Sequence, residues 1–406
     1  MRILQVTDFY SPYVGGVEQH VRSLAHGLAD RGHVVAVATT ATSQAPAGRD
    51  ADGPVLVERI PTTSARLAGA HADGDRPWAP PVPDPEAARA LRSLIRSWRP
   101  DVVHGHDWLG RSAALWCGSG GPPYVESQHY YTRSCARKDR WRDGARCAGP
   151  AFARCVGCAA DTYGRARAVP VVVATRLGAR WSDRRSRATI AVSEATARGN
   201  DTPAGYAVIP NMLAPAGARP GADDPLPTLP DGPFALFVGD LRDTKGFFVL
   251  LEAWATLQDP LPLVVVGERV AATPPTLPDG VWELGTVPNG VVARLQERAA
   301  FTVMPSVWAE PFGIVAIEAM RAGTPVIVAD SGGLGELVDH ERTGLVVPAG
   351  DVAALAGAVE RLAHDPELRH RLGDAGLDAV ERFTTDRVVG AVEAVYQGVR
   401  ARGAGR

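Results

Sequence analysis

Lysine is almost missing from this chain. Lys138 and Lys245 are the two lysines among 43 basic side chains in 406 residues, so arginine is the default cation. A lysine kept against that background marks a position where a compact ammonium is wanted rather than a planar fork. Net charge is missing too: 43 basic against 45 acidic residues leave −2, which offers no global basic field for nucleic acid or an anionic membrane surface. No apolar run approaches the roughly 18 residues of a membrane span, and the opening MRILQVTDFYSP breaks off too early for a secretory h-region. A cytoplasmic protein without a membrane span is expected, with peripheral membrane contact left open. Cysteine is scarce at five, which in that compartment favours free thiols or a metal site over a disulfide framework. Glycine (43) and proline (33) are dispersed rather than periodic, which excludes collagen-like and repeat architectures.

What is present is an ordinary globular composition, 45% hydrophobic and 22% charged, in a chain long enough for two domains of roughly 200 residues each. Short β-branched runs alternate with helical patterns: Ile3 to Thr7, Val34 to Thr39, Val55 to Ile60, a helix near Glu86 to Trp98, Val102 to His104, Tyr124 to Ser127 and Thr189 to Val192. Val17, Val21, Leu24, Ala25 and Leu28 repeat at helical spacing before the stop signal Gly32. Proline, glycine and aspartate crowd residues 210 to 233, and the alternation then restarts with Phe234 to Val238, Leu263 to Val266, Phe301 to Met304, Pro325 to Ala329 and Leu345 to Val347. The pattern predicts an α/β protein of two doubly wound parallel-sheet domains, residues 1–209 and 234–385, joined by a linker over 210–233. A terminal helix over 386–406 is expected to pack back on the first domain. Parallel sheets bind ligands beyond the carboxyl ends of their strands, so the active site is expected between the domains.

Three constellations carry chemistry. Gly15-Gly16 follow the first strand and open a helix, where backbone N–H groups can meet an anion; a plain tight turn explains them equally well. They do not form a GxGxxG fingerprint, which removes the main support for a nicotinamide-binding reading. GDLRDTKG, residues 239 to 246, places Lys245 between a strand and a helix, a good position for a phosphate. The third, PSVWAEPFGIVAIEAMRAGTPVIVADSGG at 305 to 333, is the most specific. Its proline and glycine start a helix whose first amides, at Gly313, Ile314 and Val315, can face a diphosphate. Glu310 before that turn and Glu318 within the helix can accept hydrogen bonds from sugar hydroxyls, and the apolar surroundings argue against simple surface solvation.

These segments resemble glycosyltransferase family 4. The likeness runs through YSPYVGGVEQHVRSLAHGLADRGHVVAVAT near the start, PDVVHGHDW at 100 to 108, AVSEATA at 191 to 197, VIPN at 208 to 211, and the Glu310 to Glu318 motif with its flanks. It implies a GT-B fold and a retaining transferase that uses a nucleotide-diphosphate sugar, with UDP the first expectation and GDP the second. By motif position Glu310 meets the hydroxyls of the donor sugar, Glu318 the ribose, Lys245 the diphosphate, Gly15-Gly16 the face beneath the phosphates, and the backbone near Val287 the base, with Phe312 a further donor-binding residue. His129 matches the histidine beside the reacting sugar, and His106 and Tyr13 fall on the acceptor side. Where the family carries arginine in its G-R-L-x-x-x-K-G segment, this chain has Asp240, so either Asp240 turns away from the diphosphate or Arg242 or Arg269 supplies the charge.

Cys135, Cys147, Cys155 and Cys158 in an irregular insert of about residues 130–160 have spacings that permit a tetrahedral zinc site, as in a subset of the family, against the alternative of free or oxidised thiols. Arg133, Arg137, Lys138, Arg140, Arg142 and Arg146 make the insert basic, which reads as a solvated face in preference to a seat for an anionic acceptor. Cys117 reads as core. Asp50-Ala-Asp52 and Asp73-Gly-Asp75 have DxD form but sit in loop-like sequence, so no catalytic metal and no required cofactor are expected. The leading expectation is a metal-independent retaining glycosyltransferase acting on a small-molecule, glycan or lipid-linked acceptor, with no nucleic-acid partner. A GT-B epimerase and a catalytically silent nucleotide-sugar-binding module are the rivals.

Overall fold

The computed structural model describes residues 1–13, 15–66, 79–118, 120–214, 221 and 223–404. In chain order the elements are β1 (Arg2–Thr7), α1 (Gly16–Asp30), β2 (Val34–Thr40), β3 (Gly48–Asp52), β4 (Val55–Ile60), α2 (Pro85–Trp98), β5 (Val102–Gly105), α3 (Trp108–Ala114) and β6 (Tyr124–Gln128). A hairpin of β7 (Trp141–Arg142) and β8 (Ala145–Arg146) precedes α4 (Phe152–Tyr163), α5 (Arg165–Arg185), β9 (Ser186–Ala191), α6 (Glu194–Gly199) and β10 (Ala207–Val208). There follow β11 (Ala235–Val238), α7 (Phe247–Thr256), β12 (Leu263–Val266), β13 (Val281–Glu283), α8 (Asn289–Arg298), β14 (Phe301–Met304), α9 (Ile314–Arg321), β15 (Val326–Asp330) and β16 (Leu345–Pro348). The last helices are α10 (Val352–His364), α11 (Pro366–Ala379) and α12 (Thr385–Ala404). The chain divides into two compact units: Met1–Arg140, Cys147–Met212 and Thr385–Arg406 form the first, and Trp141–Arg146 with Leu213–Thr384 form the second.

The first unit is built on an eight-stranded sheet of order β10-β9-β6-β5-β1-β2-β4-β3, parallel throughout except for the β3–β4 pair. The apolar stripe of α1, with Val17, Val21, Leu24, Ala25 and Leu28, packs on Ile3, Val35 and Val37. The opposite side of that cluster is closed by Val388, Val389, Val392 and Tyr396 of α12, and Arg31 ties the two helices through Glu393 at 2.9 Å. Helix α2 starts where its sequence tells it to: the Asp84 carboxylate accepts the Glu86 and Ala87 amides, with Pro85 at the first helical position. Strand β1 lies between β5 and β2, so the strand order reverses there and a crevice opens beyond its carboxyl end.

The second unit has a six-stranded all-parallel sheet, β13-β12-β11-β14-β15-β16. Its near-continuous apolar strands are covered on one side by Phe247, Leu250 and Trp254 of α7 and by Leu355, Val359 and Leu362 of α10. Such strands are buried on both faces, and for that reason they read as uniform hydrophobic runs. The reversal of order falls at β11, between β12 and β14.

Two expectations need correction. Asp50-Ala-Asp52 is not a loop but the edge strand β3, paired antiparallel with β4; its polar side chains hide the alternation that would have marked a strand. Asp52 there accepts from Arg22 at 2.7 Å, Tyr10 at 2.9 Å and His26 at 3.1 Å. Asp73-Gly-Asp75 lies outside the described residues. The basic insert is not a uniformly solvated face: Arg133 and Lys138 are buried, Arg133 forking onto Asp183 at 2.6 and 2.9 Å.

Candidate active site

In the second unit, two loops at the carboxyl ends of β11 and β14 are stitched together. Gly246 adopts φ 72°, and a Cβ there would lie 1.9 Å from the Pro305 carbonyl oxygen, so only glycine lets the loop after β11 lie against the loop after β14. The Val307 amide donates to the Thr244 carbonyl at 3.0 Å. This closeness delivers Lys245 to Glu310: Nζ is 2.9 Å from Glu310 Oε2 and 5.4 Å from the centre of the Trp308 ring. Trp308 Nε1 and Ser306 Oγ donate to the same oxygen at 2.8 and 3.2 Å. All three contacts fall on Oε2, so Oε1 remains an acceptor without a described partner. The Gly332 turn presses on the Glu310 backbone, whose nitrogen and oxygen would lie 2.8 and 2.3 Å from a Cβ at 332, and Gly333 donates to the Glu310 carbonyl at 2.6 Å. Glu310 is buried while the Lys245 side chain keeps 32% of its exposure.

Helix α9 begins directly after this cradle, with Gly313 as its first flanking residue. Its opening amides have no intrahelical acceptor, which makes the terminus a natural seat for an anion. Ile314, Val315 and Glu318 share its half-buried face, whereas the Phe312 ring is buried edge-on against Phe383, 5.7 Å between centroids. Phe312 therefore anchors the turn and can offer a ligand its main chain. Val287 sits half-buried before α8, at the margin of the cluster that holds Phe234 and Val291. Asp240 is paired with Arg242 at 2.9 Å, both side chains about half exposed, and Arg269 is taken by Glu283 at 2.5 Å. Of the two arginines expected to replace a missing cation, Arg242 thus stays beside the Lys245 loop and Arg269 is committed elsewhere. A pocket of about 630 Å³ is lined by Trp141, Arg146, Asp243, Phe248, Val307 and Asp330 among others. Arg146 of the hairpin holds the carbonyls of Val307 and Asp330 at 3.0 and 2.8 Å.

In the first unit, the carboxyl ends of β1, β5 and β6 deliver Asp8, His106 and His129. Four imidazoles, His20, His104, His106 and His129, are buried together. His106 and His129 stack at 5.2 Å with Nδ1 3.0 Å from Nε2, and His106 Nε2 meets Gln5 Oε1 at 2.5 Å. Burial lowers all four pKa values, that of His129 to about 4 and that of His104 to about 3, so the cluster is neutral at physiological pH. Next to it Lys138 Nζ reaches Asp8 at 3.3 Å and covers the Trp108 ring at 4.2 Å. Burial pushes the Asp8 carboxyl up and the Lys138 ammonium down, and each partly offsets the other. Gly15 and Gly16 open α1 as expected, but the Glu18 carboxylate folds over them, 2.4 Å from where a Cβ at 15 would stand. Tyr13 donates its hydroxyl to Thr42 at 2.7 Å.

Sequence reasoning missed His20, Ser306, Trp308 and the Asp8–Lys138 pair. The signal for His20 was an imidazole inside an apolar helical stripe, three residues after Val17 and four before Leu24. None of the five cysteines is in a disulfide, and among the described residues no three cysteines bring their sulfur atoms within ligand distance of one another. Cys135 and Cys158 are neighbours of Arg137, whose guanidinium lies 4.0 Å from the Cys158 sulfur. Cys117 is core, its thiol pushed up to about 12 by burial.

Residues 223–378 match the model of glycosyl transferases group 1, and residues 14–213 match that of Glycosyltransferase Family 4. The glycogen synthase of Mycobacterium tuberculosis is 30% identical over 95% of this chain and 91% of its own length. Sucrose-phosphate synthase from Thermosynechococcus elongatus superposes with a TM-score of 0.74 at 23% identity over 99% of each chain. Anabaena Alr3699/HepE in complex with UDP-glucose does so with a TM-score of 0.65 at 17% identity over 98% of this chain and all 100% of its own. The fold is GT-B, and the protein is a glycosyltransferase. It belongs to glycosyltransferase family 4. No helix among the described residues is long and apolar enough to cross a membrane.

Proposed function

We propose that this enzyme transfers a hexosyl group, with retention of anomeric configuration, from a nucleotide-diphosphate sugar, UDP first and GDP second, to a small-molecule, glycan or lipid-linked acceptor. The observation that carries the reading is the Lys245–Glu310 pair, held at the carboxyl ends of β11 and β14 in front of the α9 terminus. A lysine ammonium has three donors; one is spent on Glu310, and the exposed side leaves the others for a diphosphate. As the sugar leaves, negative charge grows on that diphosphate, and Lys245 with the α9 amides stabilises it where it forms. Glu310 Oε1 accepts a sugar hydroxyl and fixes the ring. With three donors already on Oε2, Glu310 is a weak nucleophile, which favours retention without a covalent glycosyl–Glu310 intermediate.

Glu318 is assigned to the ribose, the main chain near Val287 to the base, and Gly15-Gly16 to the phosphate side. In the first unit, His129 is assigned to the sugar, and His106 and Tyr13 to the acceptor. The diphosphate is handled without a carboxylate-held metal: the DxD residues Asp50 and Asp52 are engaged by Arg59, at 3.5 Å, and by Arg22. Anabaena Alr3699/HepE, which shares the fold and is found in complex with UDP-glucose, supports a uridine donor. Thermal shifts against UDP, GDP, ADP and dTDP test the base, since only a ligand of the folded state raises stability. Product analysis by NMR with the matching donor tests the stereochemistry. An inverted anomeric product, or no shift with any nucleotide, overturns the proposal.

A further inference from the structure

Helix α5 keeps its small side chains inside and its large apolar ones outside. The inward face is Ala168, Thr175, Gly178, Ala179 and Ser182 with Val172, all buried, and Gly178 comes so close to the Pro81 carbonyl that no Cβ fits between them. On the outward face Val169, Val173 and Leu177, each four residues from the next and so in one line along the helix, are 37–55% exposed. Phe152 at the start of α4 is exposed beside them, its ring centre 5.7 Å from the Arg176 guanidinium. Four of the eight large hydrophobic side chains exposed among the described residues are thus gathered on one helical hairpin. A surface helix ordinarily turns such side chains to the core, and a contiguous exposed patch of them marks an interaction site. The same 21-residue helix carries six arginines and one acid, Asp183, which is taken by Arg133 at 2.6 Å. Arg180 and Arg184 continue the line of Val173 and Leu177 toward the carboxyl end, and with Arg165 they are exposed and meet no carboxylate among the described residues.

We propose that this outer face of α4 and α5 seats the first unit on a bilayer surface containing anionic phospholipid, with Phe152, Val169, Val173 and Leu177 at the acyl boundary and the arginines among the phosphates. Arginine stems reach from the margin of an apolar stripe to headgroup level, so the two kinds of side chain serve one surface. The arginines also exclude a span, which leaves α5 lying in the plane of the interface. A second copy of the chain fits poorly, because an isologous contact sets the patch against itself and brings arginine onto arginine. Single-stranded nucleic acid needs aromatic platforms beside the cations, and this stripe is aliphatic apart from Phe152. The overall charge of −2 does not oppose docking, since a basic segment acts within a screening length of about 10 Å. The docking stands on the first unit and does not depend on the transfer reading; of the acceptors in that reading, a lipid-linked one is presented at such a surface.

The full-length protein is sedimented with vesicles of phosphatidylcholine alone and of phosphatidylcholine mixed equally with phosphatidylglycerol. Binding to the mixed vesicles, absent with the neutral ones and weakened by added salt, is expected. Arg180→Gln/Arg184→Gln should lower the partition coefficient about twentyfold, from roughly fivefold per arginine near the surface. Val173→Asp/Leu177→Asp should lower it about tenfold or more, and melting temperature should hold in both double variants, since these side chains face solvent. No binding to the mixed vesicles, equal binding to the neutral ones, or undiminished binding in either double variant would overturn the proposal. So would a dimer in light scattering that Val173→Asp/Leu177→Asp dissolves, which assigns the face to a second copy. Should a variant fail to fold, the contrast between the two vesicles and its salt dependence in the wild type decide. Nucleotide thermal shifts are read without vesicles, so a failure here leaves the transfer reading standing.

Discussion

Both lysines of the chain are paired with a carboxylate and face a tryptophan ring, one at the carboxyl ends of each sheet's central strands. Lys138 lies 3.3 Å from Asp8 and 4.2 Å above Trp108; Lys245 lies 2.9 Å from Glu310 and 5.4 Å from Trp308. What separates them is water. Lys138 retains 10% side-chain exposure against 32% for Lys245, so the first ammonium is consumed by the fold while the second has donors to spare. The same residue pair is thus closed over by the fold in one unit and, in the transfer reading proposed above, left open to a ligand in the other.

That contrast is broken most severely by Lys138→Met. The change leaves Asp8 buried beside Asp107, without the cation that touches it, and breaking a buried pair on one side costs about 3–5 kcal/mol. A large fall in melting temperature is expected, whereas Lys245→Met should move it by about 1 kcal/mol or less, as befits a partly exposed pair. Equal losses in the two variants would erase the distinction.

Next in size is the loss of transfer. A charge-assisted contact to phosphate contributes about 1.5–3 kcal/mol, so Lys245→Ala should lower kcat/KM by at least about tenfold. Lys245→Arg should recover little, since a planar fork does not reproduce a compact ammonium. Glu310→Gln should lower turnover with melting temperature nearly constant, because the amide keeps the volume and loses the charge. Wild-type kinetics in these variants would remove the second unit's pair from the chemistry.

The sequence already showed much of this second site, because its residues are close along the chain or sit in uniformly apolar strands. Lys245, Glu310 and the α9 start are each framed by a strand before and a glycine or proline turn nearby. Their direct ion pair was not legible: the sequence reading sent Lys245 to a phosphate and Glu310 to a sugar, and only the contact at Gly246 and Pro305 joins them. In the first unit the parallel strands were legible from β-branched runs, but β3 was not, since its stability comes from Asp52 and partners contributed by α1 and by Tyr10. The burial of Lys138 was equally hidden, for it depends on Asp8, 130 residues away. The cysteines show a limit of spacing alone: Cys135 and Cys158 come near Arg137 together, a neighbourhood that their intervals along the chain did not reveal.

A smaller effect is expected at Asp52. Hydrogen bonds from Arg22, then His26 and Tyr10, hold its carboxyl well below the ordinary range. A folded pKa below the unfolded one means stabilisation present above about pH 4 and lost as pH falls toward the folded value. After allowance for solvent screening, Asp52→Asn should cost about 1 kcal/mol at neutral pH. In urea titrations the gap to wild type should narrow in acid; a gap that widens there would assign the stabilisation to another group.

The smallest effect tests whether the second unit's spare cation is alone. Asp240 neutralises Arg242 at 2.9 Å on a surface where both are about half exposed, so the pair itself contributes little. Asp240→Arg removes that carboxylate, frees Arg242 and adds a second cation near the Lys245 loop. A diphosphate bound there should then gain about 0.5–1 kcal/mol, a few-fold lower Kd for UDP by calorimetry. Because the added charge is solvent-exposed, the gain should shrink as ionic strength rises and the screening length falls below about 10 Å. A salt-independent gain would point to a rearranged loop instead of a charge effect. Weaker binding would show that Asp240 holds Arg242 in a productive orientation, and that the cation facing the diphosphate is a pair of side chains, Lys245 and Arg242, with Asp240 as the positioning residue between them.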